Sequence, residues 1–157
     1  GGFNPLVYQR YHSTNELTAL VPYDPAKEAF NKGLAAYGTY CLACHQPTGG
    51  GNPPLIPPLV GAEWVMESDP ARIIRIVLGG LQGPIEVKGQ TYNSAMPPWG
   101  PSMTDEQIAH VLTYVRQAWG NTASAVPVEQ VAKIREETAS RATPWTAPEL
   151  LQVPLGQ

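Results

Sequence analysis

The feature that most constrains this chain is the motif Cys-Leu-Ala-Cys-His at residues 41–45. Two thiols at this spacing can add to two neighbouring vinyl groups on the edge of a porphyrin, and the imidazole of the next residue then lies under the iron. The motif therefore predicts one covalently bound haem c, attached through Cys41 and Cys44 and ligated by His45.

Two other kinds of site use closely spaced cysteines, and the sequence argues against both. A zinc site needs four ligands, whereas the chain has no third cysteine and only His12 and His110 as further histidines. A thioredoxin-like dithiol is expected in a βαβ setting, but Cys41 and Cys44 close a predicted helix. A disulfide between them would close too short a loop to stabilise the fold much. Haem attachment is the preferred interpretation.

Capping signals and hydrophobic spacing predict a mainly helical chain. Asp24-Pro25 places an N-cap residue before a proline that suits the first helical position, and residues 104–107 form a capping box. A turn signal at Lys88-Gly89 separates two short alternating segments, which indicates a hairpin. We therefore expect helices over residues 26–44, 70–79, 105–119 and 128–141 and a β-hairpin over residues 85–92.

A haem that carries electrons needs a second axial ligand, and five side chains could supply it: Met66, Met96, Met103, His12 and His110. Met103 is explained by packing at a helix start, and Met66 follows the motif too closely across a proline-rich loop. The two histidines lie in mid-helix and in the amino-terminal segment. Met96 precedes Pro97-Pro98 in an irregular loop, and these prolines lower the entropy lost in holding a sulfur over the iron. We therefore predict His45 and Met96 as the iron ligands.

This ligand pair indicates electron transfer. Histidine with methionine fills both axial positions, raises the reduction potential and leaves no open position for oxygen or peroxide. The prediction is an electron carrier that is not itself an enzyme. A haem enzyme or gas sensor with an open axial position is an alternative that the sequence leaves open.

Composition and charge narrow the class of partner. The chain has 157 residues and a formal net charge of −3 that is spread along its length, and no basic tract suggests nucleic acid. No run of about 18 apolar residues predicts a transmembrane helix. The sequence begins at Gly1 without a signal-like segment, so we expect that an export signal has been removed. A lipid anchor ahead of Gly1 stays open.

Several short elements follow one another in a set order along residues 24–121: Gly33-x-x-x-Tyr37, the 41–45 motif, Pro57-x-Leu59-x-Gly61, Met96-Pro97 and the run from Thr104 to Arg116. In this order they resemble the class I cytochrome c family. The resemblance implies an all-α cytochrome c fold with a short β-hairpin and with extended N- and C-terminal arms. In that fold the first and last core helices cross over the haem.

The resemblance also implies particular contacts. Gly33 on the first helix is expected to allow close approach to Val111 and Tyr114 on the last core helix. The carbonyl of Pro57 is expected to accept a hydrogen bond from the free ring nitrogen of His45, which would orient the ligand. Four further side chains stay open between contact with the haem propionates and ordinary packing or solvation: Arg72, Arg75, Tyr92 and Trp99.

Two longer strings, in residues 89–97 and 114–121, resemble bacterial cytochrome c domains that serve periplasmic dehydrogenases and respiratory complexes. This implies electron transfer with redox protein partners in the periplasm, at the outer face of the bacterial inner membrane. We expect a subunit or close partner of a membrane respiratory complex, with a free periplasmic shuttle as the alternative. The expected organisation is an N-terminal extended arm over 1–24, the cytochrome c domain over 25–121 and a C-terminal helical and proline-rich extension over 122–157, with the arms docked on a partner.

Overall fold

Helices and one β-hairpin make up the fold, which confirms the expected class. The computed structural model describes residues 22–156, so most of the predicted N-terminal arm, including His12, lies outside the described residues. No helix within 22–156 is long and apolar enough to cross a membrane. The antiparallel strands are β1 (Ile85–Val87) and β2 (Gln90–Tyr92). The helices are α1 (Pro25–Tyr40), α2 (Leu42–His45), α3 (Glu63–Met66), α4 (Ala71–Gly79), α5 (Asp105–Gln117), α6 (Val128–Glu137) and α7 (Ala147–Leu151).

Helix α1 begins where the sequence predicts but ends before the haem motif is complete. The Asp24 carboxylate accepts hydrogen bonds from the first two amides of the helix, at 3.0 and 3.4 Å. At Cys41 the backbone φ is −117°, far from the helical value of about −63°. The helix therefore stops just before Cys41 and α2 begins just after it. The predicted single helix through Cys44 is two helices.

Helices α1 and α5 cross at a glycine beside a cluster of aromatic rings. A Cβ atom on Gly33 would lie 2.0 Å from the carbonyl oxygen of His110 and 2.6 Å from the Cβ of Tyr114. Only glycine allows the two backbones to approach this closely. The ring of Tyr114 lies 5.0 Å from that of Phe30 and 5.3 Å from that of Tyr37. The predicted helix crossing is confirmed, with the His110 carbonyl as the nearest backbone atom.

We expect Gly33→Ala to lower the free energy of unfolding by about 1–3 kcal/mol or more, because overpacking forces the two helices apart. Gly38→Ala, on the same helix, is the matched control, since no atom of residues 22–156 lies within 4 Å of a Cβ added there. Alanine at that position should stabilise the protein by up to about 1 kcal/mol through its higher helix propensity. Urea unfolding followed by circular dichroism measures both changes. Equal effects of the two substitutions would contradict a close backbone contact at Gly33.

Helix α5 begins at the predicted capping box and ends earlier than predicted. The Thr104 hydroxyl accepts from the Gln107 amide at 3.1 Å, and the Gln107 side-chain oxygen accepts from the Thr104 amide at 2.9 Å. The helix ends at Gln117 and does not continue to residue 119, so Trp119 lies beyond it, at a φ of +56°. From there the indole Nε1 donates to the Pro47 carbonyl at 2.9 Å, which ties this end of the molecule to the loop after the haem motif.

The described part of the C-terminal extension folds back on its own domain. Helix α6 packs against α4 and α5, and it carries Val131 and Ile134 on its buried face. The helix ends at Glu137 and does not continue to residue 141. A further helix, α7, begins at a capping box between Thr146 and Glu149. The sequence pattern does not predict this helix, because prolines surround it. Burial of this apolar face explains why the extension lies on the domain. Its expected contact with a partner stays a prediction.

Candidate haem-binding site

An apolar cavity lies beside the haem motif. It encloses about 750 Å³ of space between atoms, a volume that includes open solvent at its mouth. Cys41, His45 and Met96 line this cavity together, and so does Pro57. Most of the remaining lining comes from α3, α4, α5 and β1, including Val65, Ile76, Val111, Val115 and Ile85.

A second cleft, of about 480 Å³, adjoins the first. His45, Pro57 and Met96 line both spaces, whereas Cys44 lines only the second and has an exposed side chain. The two clefts therefore form one candidate haem site with all five predicted site residues around it. That these residues attach and ligate the haem stays a prediction.

Gly51 contacts the backbones of both His45 and Pro57. The amide of Gly51 donates to the backbone carbonyl of His45 at 3.1 Å. The φ of Gly51 is +67°, and a Cβ there would lie 2.5 Å from the carbonyl oxygen of Pro57. Both the backbone conformation and the close approach require glycine. The glycine-rich loop after the motif thus brings Pro57 back to the histidine that ends α2.

Met96 is held through its backbone by Leu81. The Met96 amide donates to the Leu81 carbonyl at 2.9 Å, and the Leu81 amide donates to the Met96 carbonyl at 3.0 Å. Gly80, at a φ of +82°, lets the segments approach, because a Cβ there would lie 2.7 Å from the Met96 carbonyl oxygen. Leu81 is buried and lines both clefts. The sequence marks Gly79-Gly80 only as a helix end, so nothing local predicts Leu81 as a site residue.

Burial dominates the chemistry of the His45 ring. It lowers the pKa of the imidazole below its usual value, while the backbone carbonyl of Pro57 beside the ring acts in the opposite direction. The Nδ1 atom is buried and has no hydrogen-bond partner among residues 22–156. A neutral imidazole with an unpaired nitrogen suits an iron ligand, and a neighbouring carbonyl suits the partner that orients it. The residues present therefore fit a haem.

Cys41 does not have the properties of a reactive redox thiol. Burial raises the pKa of Cys41 to about 11, and the charge of Cys44 adds to the shift. A reactive dithiol needs the reverse, a thiolate stabilised by a lowered pKa. Within residues 22–156, no group of three or more His, Cys, Asp or Glu side chains is placed to hold a bare metal ion. Both observations favour covalent attachment to a haem over the alternatives.

The lining of the two clefts contains no charged side chain among the described residues. An apolar lining excludes water and lowers the local dielectric constant. Burial of this kind is one of the factors by which a protein sets a haem potential, since it disfavours the more highly charged oxidation state. The site is therefore suited to keeping an iron centre dry and reducible.

Other side chains that the sequence raised lie away from the clefts. Only Tyr92, of the four considered for propionate contact, lines one of them. Arg72 instead forms an ion pair at 2.6 Å with a neighbouring glutamate. Of the alternative ligands within residues 22–156, Met66 and Met103 line neither cleft, and His110 lies on a groove between α1 and α5.

Known proteins resemble this chain over the same region. A family model described as Cytochrome C oxidase, cbb3-type, subunit III matches residues 28–115. The chain is 39% identical over 112 residues to cytochrome c-552 of Thermus thermophilus, an alignment that covers 66% of this chain and 82% of that protein. It is 36% identical over 115 residues to the gluconate 2-dehydrogenase cytochrome c subunit of Pantoea cypripedii, covering 70% of this chain and 25% of that subunit.

A third relative is similar in kind. The chain is 32% identical over 109 residues to the cytochrome c subunit of the quinone alcohol dehydrogenase of Gluconacetobacter polyoxogenes, covering 68% of this chain and 23% of that subunit. The likeness to both dehydrogenase subunits thus concerns about a quarter of their length. The family model, in contrast, covers more than half of this chain and includes the haem motif. The chain therefore belongs to the c-type cytochrome family that this model describes, and it carries covalently bound haem c and transfers electrons.

Proposed function

We propose that this chain is a monohaem electron carrier whose iron is ligated by His45 and Met96. The observation that carries the proposal is that these side chains, which come from separate segments, line the same apolar cavity together with Cys41. The sequence contains a single Cys-x-x-Cys-His motif, which supports one haem per chain.

Each proposed site residue has a distinct role. The haem supplies a one-electron iron couple when it is bound. Cys41 and Cys44 hold the porphyrin edge covalently. His45 and Met96 would both ligate its iron, and an iron with two ligands from the protein would not readily bind oxygen or peroxide. The carbonyl of Pro57 orients the histidine ring, and the apolar lining keeps water away from the iron.

Haem content tests this proposal directly. Acid–organic extraction of the purified protein should leave the haem attached to the polypeptide, and a pyridine haemochrome assay should give one haem per chain. The double variant Cys41→Ala, Cys44→Ala should lose covalent attachment, because no other cysteine can form a thioether. Complete extraction of haem from the native protein, or a ratio of two, would overturn the proposal.

We further propose that the redox partner belongs to a membrane-bound respiratory complex on the outer face of a bacterial inner membrane. Two relatives named as cytochrome c subunits of dehydrogenases support this. The exposed Cys44 lies within residues 39–62, and this segment and residues 89–104 contain no Asp, Glu, Lys or Arg. A partner that docks on these two segments gains little from long-range charge steering. The rate of electron transfer should therefore depend weakly on ionic strength.

A free periplasmic shuttle is the second candidate. It is favoured by the match to cytochrome c-552, of which the alignment covers 82%. Native sizing and co-purification separate the two candidates. A complex subunit should elute with other chains from solubilised membranes, whereas a shuttle should elute as a monomer from the soluble fraction.

A further inference from the structure

The C-terminal extension contacts the segment that holds Met96. After α6 the chain returns to the core at Trp145, beside residues 80–82. The Trp145 amide donates to the Gly80 carbonyl at 2.9 Å, and the Trp145 carbonyl accepts from the Gln82 amide at 2.8 Å. Trp145 therefore pairs with this segment in the manner of a neighbouring parallel strand.

Residues 80–82 use their two edges for different partners. On one edge, Leu81 exchanges two backbone hydrogen bonds with Met96. On the other edge, its neighbours bond to Trp145. The segment is thus the middle of a short three-stranded ladder, with Met96 on one side and the C-terminal extension on the other. Displacement of Leu81 would disturb both partners at once.

The side chain of Trp145 is itself anchored. The Arg141 guanidinium lies 3.8 Å from the centre of the indole ring, a cation–π contact. Arg141 is held in turn by two hydrogen bonds to the Glu149 carboxylate, at 2.7 and 2.8 Å. A Cβ on Gly79 would lie 2.9 Å from the indole Nε1, so the end of α4 packs directly against the ring. The tryptophan therefore fastens the extension to the end of α4.

A second contact from the extension reaches the other side of the Met96 loop. Arg135 of α6 donates to the carbonyls of Gly100 and Met103, both at 2.7 Å. It also pairs with the Asp105 carboxylate at 2.6 Å. These groups belong to the segment that leads from Met96 into α5. The extension thus restrains the loop from both sides, through Leu81 and through Arg135.

We propose that the C-terminal extension is a brace that keeps Met96 in its liganding position, with Trp145 and Arg135 as positioning residues. The inference rests on the proposed ligation by His45 and Met96. A methionine leaves its iron when its loop opens. Contacts that raise the free energy of the open loop therefore lower the fraction of molecules in which the methionine is off the iron. Trp145 and Arg135 bond the loop and the segment that pairs with it, so they should affect how readily the methionine is displaced.

Displacement of the methionine by imidazole tests the brace. In the oxidised holoprotein, loss of the charge-transfer absorption of the methionine–iron bond reports imidazole binding. Trp145→Ala and Arg135→Gln should each bind imidazole about tenfold more tightly, which corresponds to about 1.4 kcal/mol. Trp145→Phe should stay close to the wild type, because a phenyl ring can still stack on the Arg141 guanidinium.

Ile108→Ala is the control for a general loss of stability. Ile108 is fully buried in α5 and lines neither cleft. Its truncation should destabilise the fold while changing imidazole affinity by less than about twofold. Hydrogen exchange at the Met96 amide gives a readout that does not depend on the iron. At equal loss of unfolding free energy, this exchange should be faster in Trp145→Ala than in Ile108→Ala.

Three results would decide against one or the other proposal. Unchanged imidazole affinity and amide exchange in both Trp145→Ala and Arg135→Gln would overturn the brace. An equal gain in affinity in Ile108→Ala would assign the effect to general stability and would also overturn it. Absence of the methionine absorption from the native protein, with no change in Met96→Ala, would instead overturn the proposed ligation. The failure of the brace and the failure of the ligation are therefore distinguishable.

Discussion

Met96→Ala is expected to lower the reduction potential by about a tenth of a volt or more, because axial ligands set haem potentials over a range of about 0.8 V. Methionine opposite histidine raises the potential, and its loss removes that contribution. Met96 is the one methionine within residues 22–156 that lines the clefts. The vacated position should also let the reduced protein bind carbon monoxide. A spectroelectrochemical titration measures the potential, and the absorption spectrum reports carbon monoxide binding.

Met66→Ala is the matched control for this experiment. Met66 is half-buried at the end of α3 and lines neither cleft, so its removal should leave the potential and carbon monoxide binding unchanged. A fall in potential with Met66→Ala, or none with Met96→Ala, would contradict the assignment. Carbon monoxide binding by the native protein would favour the open-site alternative, a haem enzyme or sensor.

Arg116→Ala is expected to lower the free energy of unfolding by about 3–5 kcal/mol, because it leaves one buried and several partly buried carbonyl groups without a donor. Arg116 is fully buried in α5, and burial lowers the pKa of its guanidinium. The guanidinium donates to the carbonyls of Val65, Glu67 and Ser124, at 2.8, 2.7 and 2.8 Å. These bonds join α5 to the chain around the end of α3, which lines the haem cavity, and to the start of the C-terminal extension.

Denaturant unfolding of the oxidised holoprotein measures this loss, with the slope of the transition as a check on two-state behaviour. Arg116→Lys should be intermediate, because one ammonium keeps the charge but lacks the planar fork that serves several carbonyls. Lys133→Ala, at a side chain that is 76% exposed on α6, should change the stability by less than about 0.5 kcal/mol. A loss smaller than about 1 kcal/mol for Arg116→Ala would contradict a structural role of the buried guanidinium.

The haem-attachment motif could be predicted because all its parts are adjacent in the chain. Cys41, Cys44 and His45 carry their chemistry in their spacing, whatever the remainder of the fold does. The prediction of Met96 is less direct, since it rests on loop stiffness and on the elimination of other candidates. The structure places Met96 in the same cavity as His45, but the pairing with Leu81 that holds it there has no local signal.

Helix starts were more predictable than helix ends. The caps at Asp24 and Thr104 are contacts between near neighbours, and the structure has both. The ends of α1, α5 and α6 all fall short of the predicted positions, at Tyr40, Gln117 and Glu137. At α5 the reason is a distant contact, because the indole of Trp119 leaves the helix to bond the Pro47 carbonyl. Local hydrophobic periodicity does not indicate where a tertiary contact of this kind will end a helix.

The sequence by itself determined the cofactor chemistry, the helical class, the hairpin and the helix caps, since each depends on residues within a few positions of one another. Only the tertiary structure decided where the C-terminal extension lies and what it holds. Its contacts join Trp145 to Gly80 and Arg135 to Gly100, pairs that are far apart in the chain. Any backbone amide can donate to any backbone carbonyl, so the residue type does not indicate which distant segment a given stretch of chain will contact. Burial of Val131, Ile134 and Leu150 selects that pairing.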